Sequence, residues 1–157
     1  MKTLLLLILM LLPLSAFAQT REETEQWILE KASVSMDLGL NYKIKDEKLI
    51  SELLGVGMGV MVERTIPIAS VTMISHVRTD KYLTFFLFCD EDCAYFVQTD
   101  SDGKFKKDGM QGKFLLEMYG NINPEIIPRM QKALLHLVEL HGGKAKLVAY
   151  QKPNEAF

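Results

Sequence analysis

The chain has 157 residues, a mean hydropathy of +0.08 and a formal charge of -2, and 48% of its residues are apolar. The apolar excess sits at one end. Residues 1–18 hold 14 of about 75 apolar residues, so the remaining 139 are about 44% apolar, an ordinary value for one globular domain. Without Lys2 that remainder carries 17 basic against 20 acidic residues, a charge of -3, which argues against a nucleic-acid binder.

The first 18 residues follow the order of a signal peptide. Lys2 provides the positive start, residues 4–12 form a Leu, Ile and Met run, Pro13 breaks it, and Ala16-Phe17-Ala18 is a small-x-small cleavage site before Gln19. The run is far shorter than the roughly 20 residues a spanning helix needs. No Cys follows the cleavage site to carry a lipid. The later apolar stretch 53–62 is interrupted by Gly55, Gly57 and Gly59. These features predict an exported protein, periplasmic or extracellular, without an integral membrane segment in its mature chain. Residues 19–157 then form a single domain, with a tail expected to fray after about residue 150.

A first helix is predicted from Thr20, whose side chain caps it while Glu23 three residues later completes a capping box. Glu22, Glu23 and Glu25 suit the positive end of the helix dipole, and Trp27 with Ile28 must pack on something. Residues 34–99 read as mostly β. Val34, Met36, Leu38 and Leu40 alternate with polar or small residues, and Tyr42 and Ile44 continue to a Lys45-Asp46-Glu47 turn. Residues 48–54 read as a short strand or a helical turn, and 60–68 as a strand that Pro67 ends at an edge or bulge. The glycines at 55, 57 and 59 lack both the Lys-Ser/Thr of a phosphate loop and dinucleotide spacing. They predict a strand face for close packing.

Residues 72–77 form the next strand, followed by the apolar run 82–89, which fits a central strand. Cys89 and Cys93, separated by Asp90-Glu91-Asp92, read as facing positions of a three-residue hairpin loop. Opposed hairpin positions lie about 4.5–5.5 Å apart, within reach of a disulfide that an oxidising compartment permits. Two reduced, half-buried thiols are the alternative. A thioredoxin-like site is disfavoured by the spacing and by three acidic neighbours. Residues 99–111, polar and rich in lysine, are expected to be a mobile loop that Phe105 pins at its middle. A last strand covers 113–119.

The closing helix is the clearest element. Asn123 caps it, Pro124 follows, and Ile127, Met130, Leu134, Leu137 and His141 recur at helical steps before Gly142-Gly143. An edge strand at 147–150 is expected in the tail. The order predicts an α+β domain, a bent antiparallel sheet or partial barrel with an N-terminal helix and a C-terminal amphipathic capping helix.

Three phrases together carry a resemblance. They are the helix at 20–31 with Trp27-Ile28, the stretch Ile66-Pro67-Ile68-Ala69-Ser70-Val71, and the closing Lys132-Ala133-Leu134-Leu135-His136-Leu137-Val138-Glu139-Leu140-His141-Gly142-Gly143. The chain resembles small secreted proteins of Bacteroidetes-type bacteria with a pleckstrin-homology-like fold and no characterised function. That resemblance implies a periplasmic or surface-exposed protein without an established catalytic activity. His141 stands where the family often has Cys, and the Gly55-x-Gly57-x-Gly59 stretch departs from it.

Candidate chemistry is sparse. His136 and His141, five residues apart on a helix, point about 140° away from each other and do not form a chelating pair. His76 with Asp80 or Asp37 is the one base-and-orienter pair for a small hydrolase-like enzyme, and no Gly-x-Ser-x-Gly elbow accompanies it. Asp90, Glu91 and Asp92 lack calcium-loop spacing. The reading is a non-catalytic binding or scaffolding domain for a protein, peptide or small apolar ligand, with no cofactor or metal. It would act through a strand edge or through a pocket lined by Trp27, Phe86 and Leu134. The alternative is a homo-oligomeric structural protein using Met58 and the 82–88 run as its interface.

Overall fold

Thr20 Oγ1 accepts from the Glu23 N–H at 3.2 Å, and the Glu23 carboxylate accepts in return from the Thr20 N–H at 2.9 Å. This reciprocal box starts the first helix, α1, Arg21–Ala32, in a computed structural model that describes residues 20–32, 39–54, 61–100 and 104–150. Thr24, Ile28 and Ala32 recur every four residues as its buried stripe. Trp27 packs half-buried beside them, its ring 5.4 Å from the Arg129 guanidinium.

Among the described residues nine strands follow, in two sheets. They are β1 Leu40–Lys45, β2 Lys48–Leu54, β3 Met61–Pro67, β4 Met73–Arg78, β5 Tyr82–Phe88, β6 Ala94–Thr99, β7 Phe105–Gln111, β8 Lys113–Tyr119 and, after the helix α2 Ile126–Leu140, β9 Lys146–Leu147. A 3₁₀ turn, Ile68–Ser70, separates β3 from β4. The first sheet runs β1-β2-β3-β6-β7 and the second β8-β5-β4-β9. Every pairing is antiparallel except β4 with β9. The architecture is therefore the expected α+β domain, with a helix at each end flanking mixed sheets.

The barrel does not close. Among the described residues the outer edge of β8 meets a side chain from β1 and no strand: the Tyr42 hydroxyl accepts from the Glu117 N–H at 2.6 Å and donates to the Glu117 carbonyl at 3.2 Å. One phenol satisfies both backbone groups of a residue on an open edge, so no ladder is needed there. Burial pushes the pKa of that phenol well above its ordinary value of 10.0.

The core lies between the second sheet and α2. Cross-strand rows Ile74–Leu87–Phe114, His76–Phe85–Leu116 and Arg78–Leu83–Met118 run across one face of β4, β5 and β8. Their apolar members are almost fully buried, together with Met130, Leu134, Leu137 and Val138 of α2. The first sheet adds Leu40, Tyr42, Leu49, Ile66 and Ala94, the inward-facing positions of β1, β2, β3 and β6. Burying each large side chain contributes roughly 1.5–3 kcal/mol, so this seam carries most of the stability.

Asn123 Oδ1 accepts from the Glu125 N–H at 3.0 Å just ahead of helix α2, whose N-cap is Glu125. At its other end Gly142 adopts φ +81°, while the Gly142 N–H donates to Glu139 and the Gly143 N–H to Val138. That is a Schellman ending, which a glycine at the left-handed position allows. Gly143 is also needed for proximity, because a Cβ there would lie 2.5 Å from the Ala69 carbonyl oxygen.

Three expectations change. Residues 48–54 are a strand, joined to β1 by a two-residue turn in which Asp46 and Glu47 take φ 49° and 61°. Cys89 and Cys93 do not close a hairpin. The strand before them pairs with β4 and β8, and the strand after them pairs with β3 and β7, so the segment crosses between sheets. The polar stretch expected to be a loop contains β7, which pairs with β6 along its length. The strand expected at 34–40 and the Gly55, Gly57 and Gly59 positions lie outside the described residues, apart from the start of β1 at Leu40.

Candidate binding edge on the first sheet

Strand β7 reads Phe105-Lys106-Lys107-Asp108-Gly109-Met110-Gln111 and is the last strand of its sheet. Among the described residues only β6 pairs with it, so its other edge presents backbone groups to solvent. None of its residues is buried. Gly109 lies against the Phe96 ring, where a Cβ would come within 3.0 Å of Cε1, and Lys107 Nζ sits 5.7 Å from the centroid of the same ring. Tyr95 donates a short hydrogen bond to the Asp108 carboxylate, which holds the phenol above its ordinary pKa. These contacts fix β7 on β6 and leave its outward edge open.

Register shows where its apolar side chains go. Ile44, Leu49, Ile66, Ala94 and Gln111 form one row across the sheet, and its middle members are buried in the core. The adjacent row, Lys43–Ile50–Thr65–Tyr95–Met110, must face the opposite way, toward solvent. Leu54, Thr99 and Phe105 lie at the far end of the sheet, Phe105 opposite Thr99. Tyr95, Met110, Leu54 and Phe105 are accordingly 39%, 53%, 56% and 64% exposed. Among the described residues, four of the seven large exposed apolar residues thus belong to this sheet, three of them on or beside β7. Lys104, Lys106 and Lys107 are exposed around Phe105, making the start of the strand basic in a chain of net negative charge.

The residues predicted to share a pocket are not brought together. Leu134 is fully buried against the second sheet, and Trp27 packs at the edge of that core. Phe86 lies on the opposite face of β5, since its neighbours Phe85 and Leu87 point into the core. It stacks between Phe88 at 6.1 Å and Tyr150 at 5.0 Å, with Lys113 Nζ 5.9 Å from its ring. The seam between sheet and α2 is packed.

The three histidines lie apart, each with its own neighbours. His76 Nδ1 meets Gln131 Nε2 of α2 at 3.2 Å and its ring lies 5.9 Å from Phe85, while Asp80 is exposed and Asp37 lies outside the described residues. His136 Nδ1 lies 3.9 Å from the Glu139 carboxylate. His141 has a fully buried side chain whose Nε2 is 2.9 Å from Glu25 Oε1, an oxygen that Arg21 Nε also reaches at 2.9 Å. This chain of contacts ties the end of α2 to α1. Beside it, Glu22, Glu25, Gln26, Leu29, Glu30, Asn41 and Tyr42 line an open groove of about 480 Å³ between α1 and β1. Among the described residues no group of three or more His, Cys, Asp or Glu is placed to hold a metal.

Cys89 and Cys93 form a disulfide with an S–S distance of 2.06 Å and Cα atoms 6.2 Å apart. Around it, Thr72 Oγ1 donates to Asp90 at 2.9 Å and the Cys89 N–H donates to the Gly112 carbonyl at 3.1 Å. The bridge therefore sits where the chain leaves the second sheet, close to the β7–β8 corner. Among the described residues no helix is long and apolar enough to cross a membrane.

Sequence reasoning missed β7 because charged residues and glycine score against strands. Those residues are how exposed edges are kept from pairing indiscriminately. The signal that could have found it was β6, an alternating strand that needed a second neighbour. Comparison with protein-family models, with curated proteins and with solved structures finds no match to this chain.

Proposed function

We propose that this is an exported, non-catalytic binding domain that takes an extended polypeptide segment onto the open edge of β7. The observation that carries the reading is a terminal strand with no buried residue, flanked by Phe105, Met110 and Tyr95 in contact with solvent. An added strand obtains affinity from main-chain hydrogen bonds and selectivity from alternate side chains, which such an edge supplies. The packed seam under α2 leaves a strand edge, of the two sites considered, as the better supported. The leader at residues 1–18 and the closed disulfide support an oxidising compartment outside the cytoplasm.

Two measurements test the reading. N-terminal sequencing of the native protein should start at Gln19, and recovery of Met1 would refute export. A photo-cross-linking residue at Phe105 should capture one partner in the producing cell that the same residue at the exposed Lys144 does not. Equal capture at both positions, or none at Phe105, removes the β7 edge as the site.

The homo-oligomer alternative is less well supported. Its Met58 lies outside the described residues, and β5 is a central strand with neighbours on both sides. For the enzyme alternative, His76 makes its contact with Gln131.

A further inference from the structure

We infer that the segment received by β7 is an extended stretch of another polypeptide with two adjacent apolar residues, an aromatic one opposite Gly109 and an aliphatic one opposite Met110. The inference rests on the strand-addition reading and specifies its partner. Register places Tyr42, Ser51, Arg64, Phe96 and Gly109 in one row across the first sheet, on the core-facing side with Leu49 and Ile66. Along that row Tyr42 and Ser51 are buried, whereas Arg64, Phe96 and Gly109 are only half-buried, so cover is lost toward β7. A side chain in a sheet packs on its same-face neighbours in the adjoining strands. For Phe96 the outer neighbour is Gly109, which has no side chain, and the ring lies over it so closely that a Cβ there would come within 3.0 Å of Cε1. The ring tip thus stands over the last strand of the sheet, with Lys107 Nζ 5.7 Å from the ring centroid.

A strand added outside β7 sets one residue opposite Gly109 on this face, and no β7 side chain separates that residue from the Phe96 ring. An aromatic side chain there covers the ring edge, as an aromatic neighbour compensates a glycine at a sheet edge. The adjacent residue of the added strand points to the other face and meets Met110, which is 53% exposed and continues the outward row from Tyr95. Both faces of β7 therefore present apolar surface at neighbouring positions, and a partner that alternates polar with apolar residues matches only one of them. A second copy of this chain does not supply the pair. The β7 residues that share the face of Gly109 are Lys107 and Gln111, so antiparallel pairing of two β7 strands about a two-fold axis sets lysine, glycine or glutamine opposite Gly109.

The test titrates the purified protein with two eight-residue peptides, Ser-Thr-Thr-Val-Phe-Thr-Thr-Ser and the same peptide with Ala in place of Phe, read by anisotropy and by amide shifts. The Phe peptide should bind about fivefold tighter, shift the amides of residues 107–111, and show nuclear Overhauser contacts between its ring and that of Phe96. In a Phe96→Thr variant the two peptides should bind alike while the β7 shifts are retained. Gly109→Val, which puts a side chain where the ring lies, should remove the same preference. The wild-type comparison decides the matter if either variant fails to fold. Equal binding of both peptides to the wild type at β7 overturns the aromatic requirement and leaves the strand-edge reading standing. A preference that survives in Phe96→Thr also overturns it. No β7 shift with either peptide overturns both. A concentration-dependent dimer whose protected amides are those of β7 would assign the edge to a second copy and overturn the inference.

Discussion

β5 and β7 are each seven residues long, and each pairs along its length with a neighbouring strand. β5 lies between β4 and β8 and buries Leu83, Thr84, Phe85 and Leu87, whereas β7 lies outside β6 and buries nothing. Position in the sheet gives β5 two partners and puts a helix over one of its faces. The same backbone geometry at the sheet margin leaves β7, among the described residues, with one partner and no buried side chain. Their sequences match those places, aromatic and aliphatic in one, lysine, aspartate and glycine in the other. A strand is thus defined by what pairs with it as much as by its own residues, and its solvent edge remains available for another chain.

The sharpest test of the contrast removes a side chain from the covered strand. Phe85→Ala opens a cavity between β5 and α2, and the stability measured by urea denaturation should fall by about 3–5 kcal/mol. A loss below about 1 kcal/mol would mean that the seam is less tightly packed than its burial indicates.

Tyr42→Phe probes the junction where the barrel stays open. It leaves the Glu117 N–H and carbonyl without the phenol and should cost about 1–3 kcal/mol at neutral pH. The same residue sets an alkaline limit. Burial raises the folded phenol above 10.0, so the unfolded chain loses its proton first. That contribution is fully present below about pH 10 and falls as pH rises toward the folded value. The wild type should lose stability in this window and the variant should lose less. Tyr119, raised in the same direction by burial and by Glu117, keeps the slope from vanishing. An unchanged slope in Tyr42→Phe would contradict the burial of this phenol.

The disulfide ranks next. Replacing Cys89 and Cys93 together by serine should cost at most about 2 kcal/mol, because the bridge closes a loop of only five residues and constrains the unfolded chain little. A much larger loss, read from denaturation midpoints, would show that the bridge holds the two sheets in place rather than one crossing segment.

The smallest effect belongs to β7. Replacing Lys104, Lys106 and Lys107 together by glutamate should leave the thermal midpoint within about 2 °C, since exposed side chains away from the core contribute little. A drop of several degrees would mean that the edge is part of the stabilising structure, and the contrast with β5 would fail.

How much of this was legible beforehand follows the physics of each segment. Capping residues act over three or four positions, so Thr20 with Glu23 and the Gly142-Gly143 ending could be read directly, and α1 starts and α2 ends where those signals place them, whereas α2 starts at Ile126 behind Glu125 and not at the expected Asn123 cap. The run at 82–89 announced a central strand because only a covered strand tolerates such apolarity. By contrast, Cys89 and Cys93 carried the spacing of a hairpin, and the disulfide formed while the hairpin did not. A separation of four residues sets the reach of two thiols but says nothing about which sheet the outgoing strand joins. Phe86 illustrates the same limit. Its type suited a pocket with Trp27 and Leu134, yet a one-residue step along β5 points it away from α2.

The sequence by itself determined the start of α1, the end of α2, the apolar stripes and the thiols within bonding reach. Each depends on contacts a few residues apart or on composition alone. Only the tertiary structure decided that β5 and β6 part into different sheets, that a tyrosine stands in for a strand at the β8 edge, and that a lysine-rich stretch becomes a strand open on one side. Those outcomes depend on partners far away in the chain. Pairing between distant strands is selected by how well whole faces bury together, and no local pattern records it.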